Sequence, residues 1–414
     1  MFQIDWTVRP LPTAALRHGA LALAAGLVLS GAAAAQKIAL KAELSGAQEV
    51  PPVTTPAMGT AFFLIDLDAN TIDFDITIAD LQGTETAAQI FGYVASGQAG
   101  GTMVFDLGTG NHKSGTWNYP QADEANILAN LAYVNVMTTT QAGGEIRGQM
   151  TRVSAPHTLM ASLDGAQEVP AVTTTATGTG VFELDPVANT IAFNITYADL
   201  SSAETQAHFH GYAPAGQNAN IVFNLPMGSH KTGTWTYPQT DEASILNGLL
   251  YVNVHSSNNT NGEIRGQIEV KANNPGSYCT GKPNSQSCTP AVAWSSLPSL
   301  TGTDDYVVSA TNVINNKNAV FVWSTLPANT PFMGGTLCVD QTTAVKTVMQ
   351  NSGGNAPPDD CSGTLSFAFN QAYMATNALA PGTLVFGQWW FRDPANPDGT
   401  GFGLSDAVYF EILN

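Results

Sequence analysis

The sequence has few charged residues, and most of these are acidic. Only 11% of its 414 residues are charged, with 14 Lys and Arg against 32 Asp and Glu, which gives a formal net charge of −18. So few basic side chains exclude a large site for nucleic-acid phosphates, and the negative charge disfavours anionic membrane surfaces. Hydrophobic residues nevertheless make up 44% of the chain, which favours a folded protein over a disordered one.

The sequence also lacks the short signatures of several enzyme classes. It contains no Gly-x-Ser-x-Gly elbow, no His-Glu-x-x-His zinc motif and no phosphate loop that ends in Gly-Lys-Ser/Thr. These absences favour a protein that is not an enzyme. A glycosidase stays open as an alternative, because its two carboxylates need not be close in sequence.

No apolar run long enough to cross a membrane follows residue 35. Before it, Arg9 and Arg17 precede an apolar stretch at 20–29, and the small residues at 30–35 contain an Ala-x-Ala pattern. This order is typical of a secretory signal peptide, and the apolar run is shorter than the ~20 residues that a bilayer core needs. We expect residues 1–35 to be removed and the mature protein to be periplasmic, cell-surface or secreted.

Cysteine is scarce, and the four cysteines all lie in the last third of the chain. An even number of cysteines in an exported protein predicts disulfides, here two. A zinc site made of all four is the alternative, but no Cys-x2-Cys spacing supports it. Among the three possible connectivities we expect the most local one, Cys279–Cys288 with Cys338–Cys361.

What the sequence does contain is an internal repeat. The motif Leu-x-Gly-Ala-Gln-Glu-Val-Pro at 44–51 returns at 163–170, and Gly-Glu-Ile-Arg-Gly-Gln at 144–149 returns at 262–267. An offset of about 119 residues is too long for a solenoid repeat and indicates a duplicated domain. We therefore divide the chain into copy one (36–153), copy two (154–270), a linker (271–277) and a third unit (278–414).

Each copy reads as mostly β-structure. Short apolar or alternating runs such as Thr71–Ile78 are bounded by Gly, Asn, Asp and Pro, which is typical of the strands of a sandwich or barrel. One segment in each copy instead has acidic residues in its first turn and helical apolar spacing. These helices are expected at Ala122–Leu131 and at Thr240–Leu249. The third unit also reads as strands.

Four motifs in fixed order resemble the CHRD family, which is named from chordin. They are Leu-x-Gly-x-Gln-Glu-Val-Pro, Ala-His-Phe-His-Gly, Tyr-Val-Asn-Val-His and Gly-Glu-Ile-Arg-Gly, and the resemblance covers roughly 38–152 and 157–269. It implies two tandem Greek-key β-sandwiches of an extracellular type. The third unit is similar to a C-terminal module of other exported bacterial proteins, through Gln388-Trp-Trp-Phe-Arg-Asp among other segments. We thus expect an all-β protein that ends in a disulfide-bearing β-rich domain.

Three histidines of copy two are candidate metal ligands. His208 and His210 are two residues apart and share one face of a strand. On another strand, His255 lies on the face opposite to that of Val252 and Val254. If the strands are neighbours, three imidazoles converge off the core, as in sites for Zn or Cu. A plain hydrogen-bond network is the alternative. The corresponding residues of copy one are not histidines, so the fold does not require them; they are Gln89, Phe91 and Met137.

Two acids and two arginines recur in both copies, at Glu49 and Glu168 and at Arg147 and Arg265. Because the acid and the arginine recur together in two copies whose other motifs are unchanged, we predict that they form a paired, partly buried contact. Pairing offsets the cost of burying a charge. A recognition surface is the alternative.

Two functions follow. The first is an exported, non-enzymatic binding or scaffold protein whose partner is an extracellular or cell-surface protein or glycan. The second is a metalloprotein with Cu or Zn in copy two, similar to copper–zinc superoxide dismutase by analogy only. No cofactor is implied by the first.

Overall fold

A computed structural model describes residues 37–67, 69–186 and 188–413. The expected signal peptide lies outside the described residues. Within them, strands dominate, and the three α-helices are only five or six residues long. None of the described helices has the length and apolar character needed to cross a bilayer. The all-β prediction is confirmed.

Copy one is a nine-stranded antiparallel sheet folded around its own core. Its elements are β1 (Lys37–Ser45), β2 (Met58–Asp66), β3 (Thr71–Ala79), β4 (Glu85–Gly92), β5 (Thr102–Asp106), β6 (His112–Asn118), α1 (Glu124–Leu128), β7 (Tyr133–Thr138), β8 (Ile146–Gln149) and β9 (Thr151–Arg152). The strand order is β5-β4-β7-β8-β1-β2-β3-β6, with β9 on β1. The pairs β3–β6 and β4–β7 are not consecutive, so the chain crosses over in the Greek-key manner.

Copy two has the same topology. Its elements are β10 (His157–Asp164), β11 (Thr177–Asp185), β12 (Thr190–Ala198), β13 (Glu204–Gly211), β14 (Asn220–Asn224), β15 (His230–Thr236), α2 (Glu242–Leu246), β16 (Tyr251–Ser256), β17 (Ile264–Gln267) and β18 (Glu269–Asn273). The order β14-β13-β16-β17-β10-β11-β12-β15, with β18 on β10, repeats that of copy one. The two copies therefore fold alike despite their different histidines.

Both helices are shorter than predicted. Each is preceded by a 3-10 turn, at Gln121–Asp123 and Gln239–Asp241, and each ends close to a residue with positive φ. That residue is Asn130 in copy one and Gly248 in copy two. Asparagine and glycine tolerate this conformation better than other residues, and it stops the helix.

The third unit contains three further sheets. Its elements are β19 (Gly276–Tyr278), β20 (Ala291–Ser295), β21 (Val307–Val313), β22 (Asn318–Ser324), β23 (Pro327–Phe332), β24 (Gly335–Val339), β25 (Val345–Lys346), β26 (Gln350–Asn351), β27 (Gly363–Ala368), α3 (Gln371–Thr376), β28 (Leu384–Arg392) and β29 (Phe402–Glu411). One sheet has the order β19-β29-β28-β22-β25 with β26 on β22, the second is β20-β21-β27, and the third is the hairpin β23–β24. The residues expected to form a linker belong largely to β18 and β19.

All four cysteines form disulfides, but the predicted local pairing is wrong. The bonds are Cys279–Cys338 and Cys288–Cys361, with Cα–Cα separations of 6.2 and 6.4 Å. Strand β24 lies against the segment that follows β19, where the Tyr278 hydroxyl donates to the Cys338 carbonyl oxygen. Tertiary packing, rather than closeness in sequence, brings the cysteines together.

The two copies pack face to face through equivalent strands. Thr60 on β2 lies 2.7 Å from Thr196 on β12, and Thr77 on β3 lies 2.8 Å from Thr179 on β11, measured between hydroxyl oxygens. Since Thr179 and Thr196 are the repeats of Thr60 and Thr77, the contact is close to two-fold symmetric. The third unit adds to this body through an ion pair of 2.9 Å between Arg152 and Glu411.

Candidate metal centre

Strands β13 and β16 bring the three predicted histidines together. The strands pair antiparallel, with His208 opposite Asn253, His210 opposite Tyr251 and Gln206 opposite His255. Alternate residues of both strands, Ala207, Phe209, Val252 and Val254, point into the core and are buried. The histidines therefore lie on the face away from the core, with His255 diagonal to His208, as the alternation predicts.

The three imidazoles face a common space. Ring centroids are separated by 5.5 Å for His208 and His210, by 5.1 Å for His208 and His255, and by 6.4 Å for His210 and His255. One ring nitrogen from each lies within 4.8 Å of those of the other two. Zinc–nitrogen bonds of about 2.0–2.1 Å place tetrahedral ligands about 3.4 Å apart, so small ring rotations would let all three bind one ion.

Backbone carbonyls orient two of the rings. Nδ1 of His210 donates to the carbonyl oxygen of Ala219 (2.9 Å), and Nδ1 of His255 donates to that of Thr260 (3.0 Å). Because a carbonyl oxygen only accepts, Nδ1 carries the proton and Nε2 keeps its lone pair. Both Nε2 atoms, together with Nδ1 of His208, are buried without a hydrogen-bond partner. This is how proteins commonly prepare histidines as metal ligands.

Burial keeps two of the histidines, His208 and His210, in their neutral form. His208 is 4% exposed and His255 is 6% exposed, although both lie off the core. Burial, with smaller contributions from His255 and His210, lowers the pKa of His208 to about 4. Burial also lowers the pKa of His210, against the opposing effect of its hydrogen bond to Ala219. At neutral pH these two imidazoles are uncharged, which is the state that binds a metal.

Copy one offers the same frame without the imidazoles. Phe91 stacks on Tyr133 with ring centroids 5.4 Å apart, as His210 stacks on Tyr251 at 5.0 Å. The frame is thus independent of the histidines, and copy one is an internal control for the site.

The recurring acids and arginines are buried in both copies, and the charge of each arginine acts on the acid of its own copy, Arg147 on Glu49 and Arg265 on Glu168. The guanidinium carbons of Arg147 and Arg265 each lie 3.5 Å from the ring centroid of a tyrosine, Tyr133 and Tyr251 respectively. Arg147 donates to the carbonyl oxygen of Gln98, and Arg265 donates to the side chain of Gln267. These contacts fix the positions of both guanidinium groups.

Burial has the largest effect on the pKa values of the two acids. It raises the pKa of both Glu49 and Glu168 to about 7, although the nearby arginines lower it in part. In each copy one carboxyl oxygen and the side-chain oxygen of an asparagine, Asn135 or Asn253, are buried without a partner. A Cβ at Gly144 or Gly262 would contact both of those oxygens within 2.5 Å, so glycine is required there.

A third acid, not singled out from the sequence, supports the loop beside His255. Glu263 is fully buried and accepts hydrogen bonds from the Thr174 hydroxyl (2.7 Å), the Ser201 backbone N–H (2.8 Å) and the Ser256 hydroxyl (2.5 Å). Burial would raise its pKa, but these bonds together lower it to about 2. Its recurrence as Glu145 in the motif Gly-Glu-Ile-Arg-Gly was the available indication.

Comparison with known proteins agrees with the repeated topology. The model of the CHRD domain family matches residues 40–150 and 159–268, which together are more than half of the chain. The chain belongs to the CHRD family. It is similar to chordin of Xenopus laevis, with 25% identity over 255 residues, 56% of this chain and 26% of chordin. Chordin of Danio rerio shares 29% identity over 160 residues, 35% of this chain and 17% of that protein.

This CHRD chain thus spans about a quarter or less of the length of the chordins it matches. Among solved structures, Escherichia coli α2-macroglobulin activated by porcine elastase aligns with 90% of the chain and 44% of its own length, at 8% identity and a TM-score of 0.16.

Proposed function

We propose that this CHRD protein is an exported, non-enzymatic binding protein whose second copy holds one Zn²⁺ or Cu²⁺ ion. The observation that carries the metal site is the grouping of His208, His210 and His255: each has a ring nitrogen within 4.8 Å of those of the other two, and each has a buried ring nitrogen without a hydrogen-bond partner. Buried polar atoms are normally hydrogen-bonded, so three partnerless ones side by side point to a ligand.

The histidines fit a metal better than the alternative hydrogen-bond network. In such a network the imidazoles would donate to one another, yet here the Nδ1 atoms of His210 and His255 donate to backbone carbonyl oxygens. The Nε2 atoms of both rings keep their lone pairs and have no hydrogen-bond partner. Imidazole nitrogen is a preferred ligand of both Zn²⁺ and Cu²⁺, which is the reason for naming these two ions.

Export and a binding or scaffold role rest on other features. Two disulfides require an oxidising compartment, and the tandem CHRD domains are shared with chordin. In this proposal copy one is structural, and the partner is an extracellular or cell-surface protein or glycan.

Metal analysis of protein purified without a histidine tag tests the proposal. We expect close to one equivalent of Zn²⁺ or Cu²⁺ in the native chain. The matched variant carries the residues of copy one, His208→Gln with His210→Phe, and we expect it to bind at least a hundredfold more weakly with an unchanged circular-dichroism spectrum, because two of three ligands are lost. Equal binding by both proteins would refute the metal site.

A further inference from the structure

The site in copy two offers three protein ligands and no fourth. Within the described part of the chain, the only His, Cys, Asp or Glu side chains grouped at this point are the three histidines. Structural zinc sites close the ion in with four protein ligands, whereas sites with three leave a position for an external ligand. We infer that the ion proposed above binds an exogenous carboxylate at this open position; the inference rests on the proposed function.

The charge balance of the site favours an anion there. Three neutral imidazoles leave the full 2+ charge of the ion uncompensated in a buried position, which is costly unless an opposite charge is bound. Glu168 lies in the same copy but is not one of the grouped ligands. Its counterpart Glu49 is equally buried in copy one, where the positions equivalent to the three histidines are Gln89, Phe91 and Met137, so burial of this acid is a property of the frame.

A second positive charge lies next to the histidines. Arg265 packs on the ring of Tyr251, and the same ring stacks against His210. The Arg265 guanidinium also donates to the side-chain oxygen of Asn218, at 3.4 Å. A metal ion and an arginine close together attract carboxylates, because guanidinium and carboxylate are complementary in charge and shape.

A surface depression adjoins the loop that holds the ring of His210, although none of the three histidines lines it. An open depression of about 420 Å³ is lined by Gly211, Tyr212, Asn218, Ala219 and Asn220. Two of these residues contact the site directly, since Ala219 accepts the hydrogen bond of His210 and Asn218 accepts that of Arg265. The depression could hold either a small free carboxylate or an acidic side chain presented by a partner protein.

Copper titration followed by carboxylate titration tests this inference. The protein is loaded with Cu²⁺ alone, and its electron paramagnetic resonance spectrum is recorded with increasing sodium acetate, with sodium perchlorate at the same ionic strength as the control. We expect acetate, but not perchlorate, to shift the copper hyperfine coupling in a saturable way. A short peptide with one aspartate, used in place of acetate, separates the two sources: tighter binding of the peptide indicates a partner's side chain, and tighter binding of acetate a free carboxylate.

A matched pair of variants tests the part played by Arg265. Arg265→Gln should weaken acetate binding roughly three- to tenfold, as expected for the loss of one nearby charge. Arg147→Gln removes the equivalent arginine of copy one and should leave acetate binding unchanged. If copper binds at one equivalent and acetate leaves its spectrum unchanged, the open position is refuted while the metal site stands. If copper does not bind, both proposals fail.

Discussion

At the scale of single residues, the pKa values of two buried acids of copy two are shifted in opposite directions. Glu263 accepts four hydrogen bonds from hydroxyl and backbone donors, which stabilise its charged form. Burial dominates at Glu168 and raises its pKa to about 7, because Arg265, the Val169 backbone N–H and a weak 3.5 Å contact from the Asn253 amide offset it only in part. The supply of donors, rather than burial alone, decides which acid stays ionised.

Replacing Glu168 with Gln should therefore stabilise the protein above neutral pH. The folded-state pKa of Glu168 lies above its ordinary value of 4.5, so the folded protein holds the proton more tightly, and stability is lost as pH rises from about 4.5 to about 7. Gln does not ionise, so the variant does not lose stability in this pH range. We expect the variant to gain about 1–3 kcal/mol in the free energy of unfolding at pH 8, measured by urea denaturation, and little at pH 4.

The control is Glu263→Gln, for which the sign reverses. The pKa of Glu263 is lowered to about 2, so its ionised form stabilises the fold above pH 4.5, and that contribution disappears as pH falls towards 2. The variant should be destabilised at neutral pH. A loss of stability in Glu168→Gln at pH 8 would contradict the account of Glu168.

At the scale of elements, the pairing of two strands makes the site. Copy one pairs Ala87 with Met137, Gln89 with Asn135 and Phe91 with Tyr133, which is the register that copy two uses for its histidines. A shift of one residue would turn one strand's histidines into the core. The difference between the copies thus lies in side chains and not in strand geometry.

Transplanting the histidines should create a second site. The triple variant Gln89→His, Phe91→His, Met137→His places imidazoles at the equivalent positions of copy one. We expect the number of Zn²⁺ ions bound per chain, measured by isothermal titration calorimetry, to rise from one to two. Binding that stays at one equivalent in a folded variant would show that the loops around copy two, and not the register, determine the site.

The disulfides also belong to this scale, because they join elements far apart in sequence. They link residues separated by 59 and 73 positions. A bond closing a loop of that length stabilises the fold by about 4 kcal/mol in the chain-entropy model, more than a short local loop would. Peptide mapping without reduction should find Cys279 joined to Cys338 and Cys288 joined to Cys361. The local pairing would contradict the arrangement of β19 and β24.

Much of the site, but not all of it, was predictable from the sequence. The two-residue period placed His208 and His210 on one face and His255 off the core, and the structure has them there. Their burial was not predictable, because His210 and His255 contact Ala219 and Thr260, in loops whose course depends on tertiary packing. The disulfide pairing failed for the same reason. Nothing in the sequence indicated that Arg147 and Arg265 would each stack on a tyrosine.

At the scale of the whole molecule, the duplicated copies contact each other as the two subunits of a two-fold symmetric dimer do. Hydroxyl contacts join Thr60 to Thr196 and Thr77 to Thr179, and the amide of Asn111 donates to Asp199. Equivalent faces that contact each other form an isologous interface. Sequence patterning did not reveal it, because threonines on the outer face of a strand resemble solvent-exposed residues. Only copy two of this near-symmetric pair carries the histidines.

X-ray absorption spectroscopy of the zinc-loaded full chain tests the central claim most directly. The proposed site predicts three imidazole nitrogens at about 2.0–2.1 Å from the metal, with the outer-shell scattering typical of imidazole rings, and a remaining light-atom ligand from outside the protein. The same measurement on His208→Gln with His210→Phe should lose that imidazole signature. A first shell of oxygen or sulfur alone in the native protein would contradict a metal centre built from His208, His210 and His255.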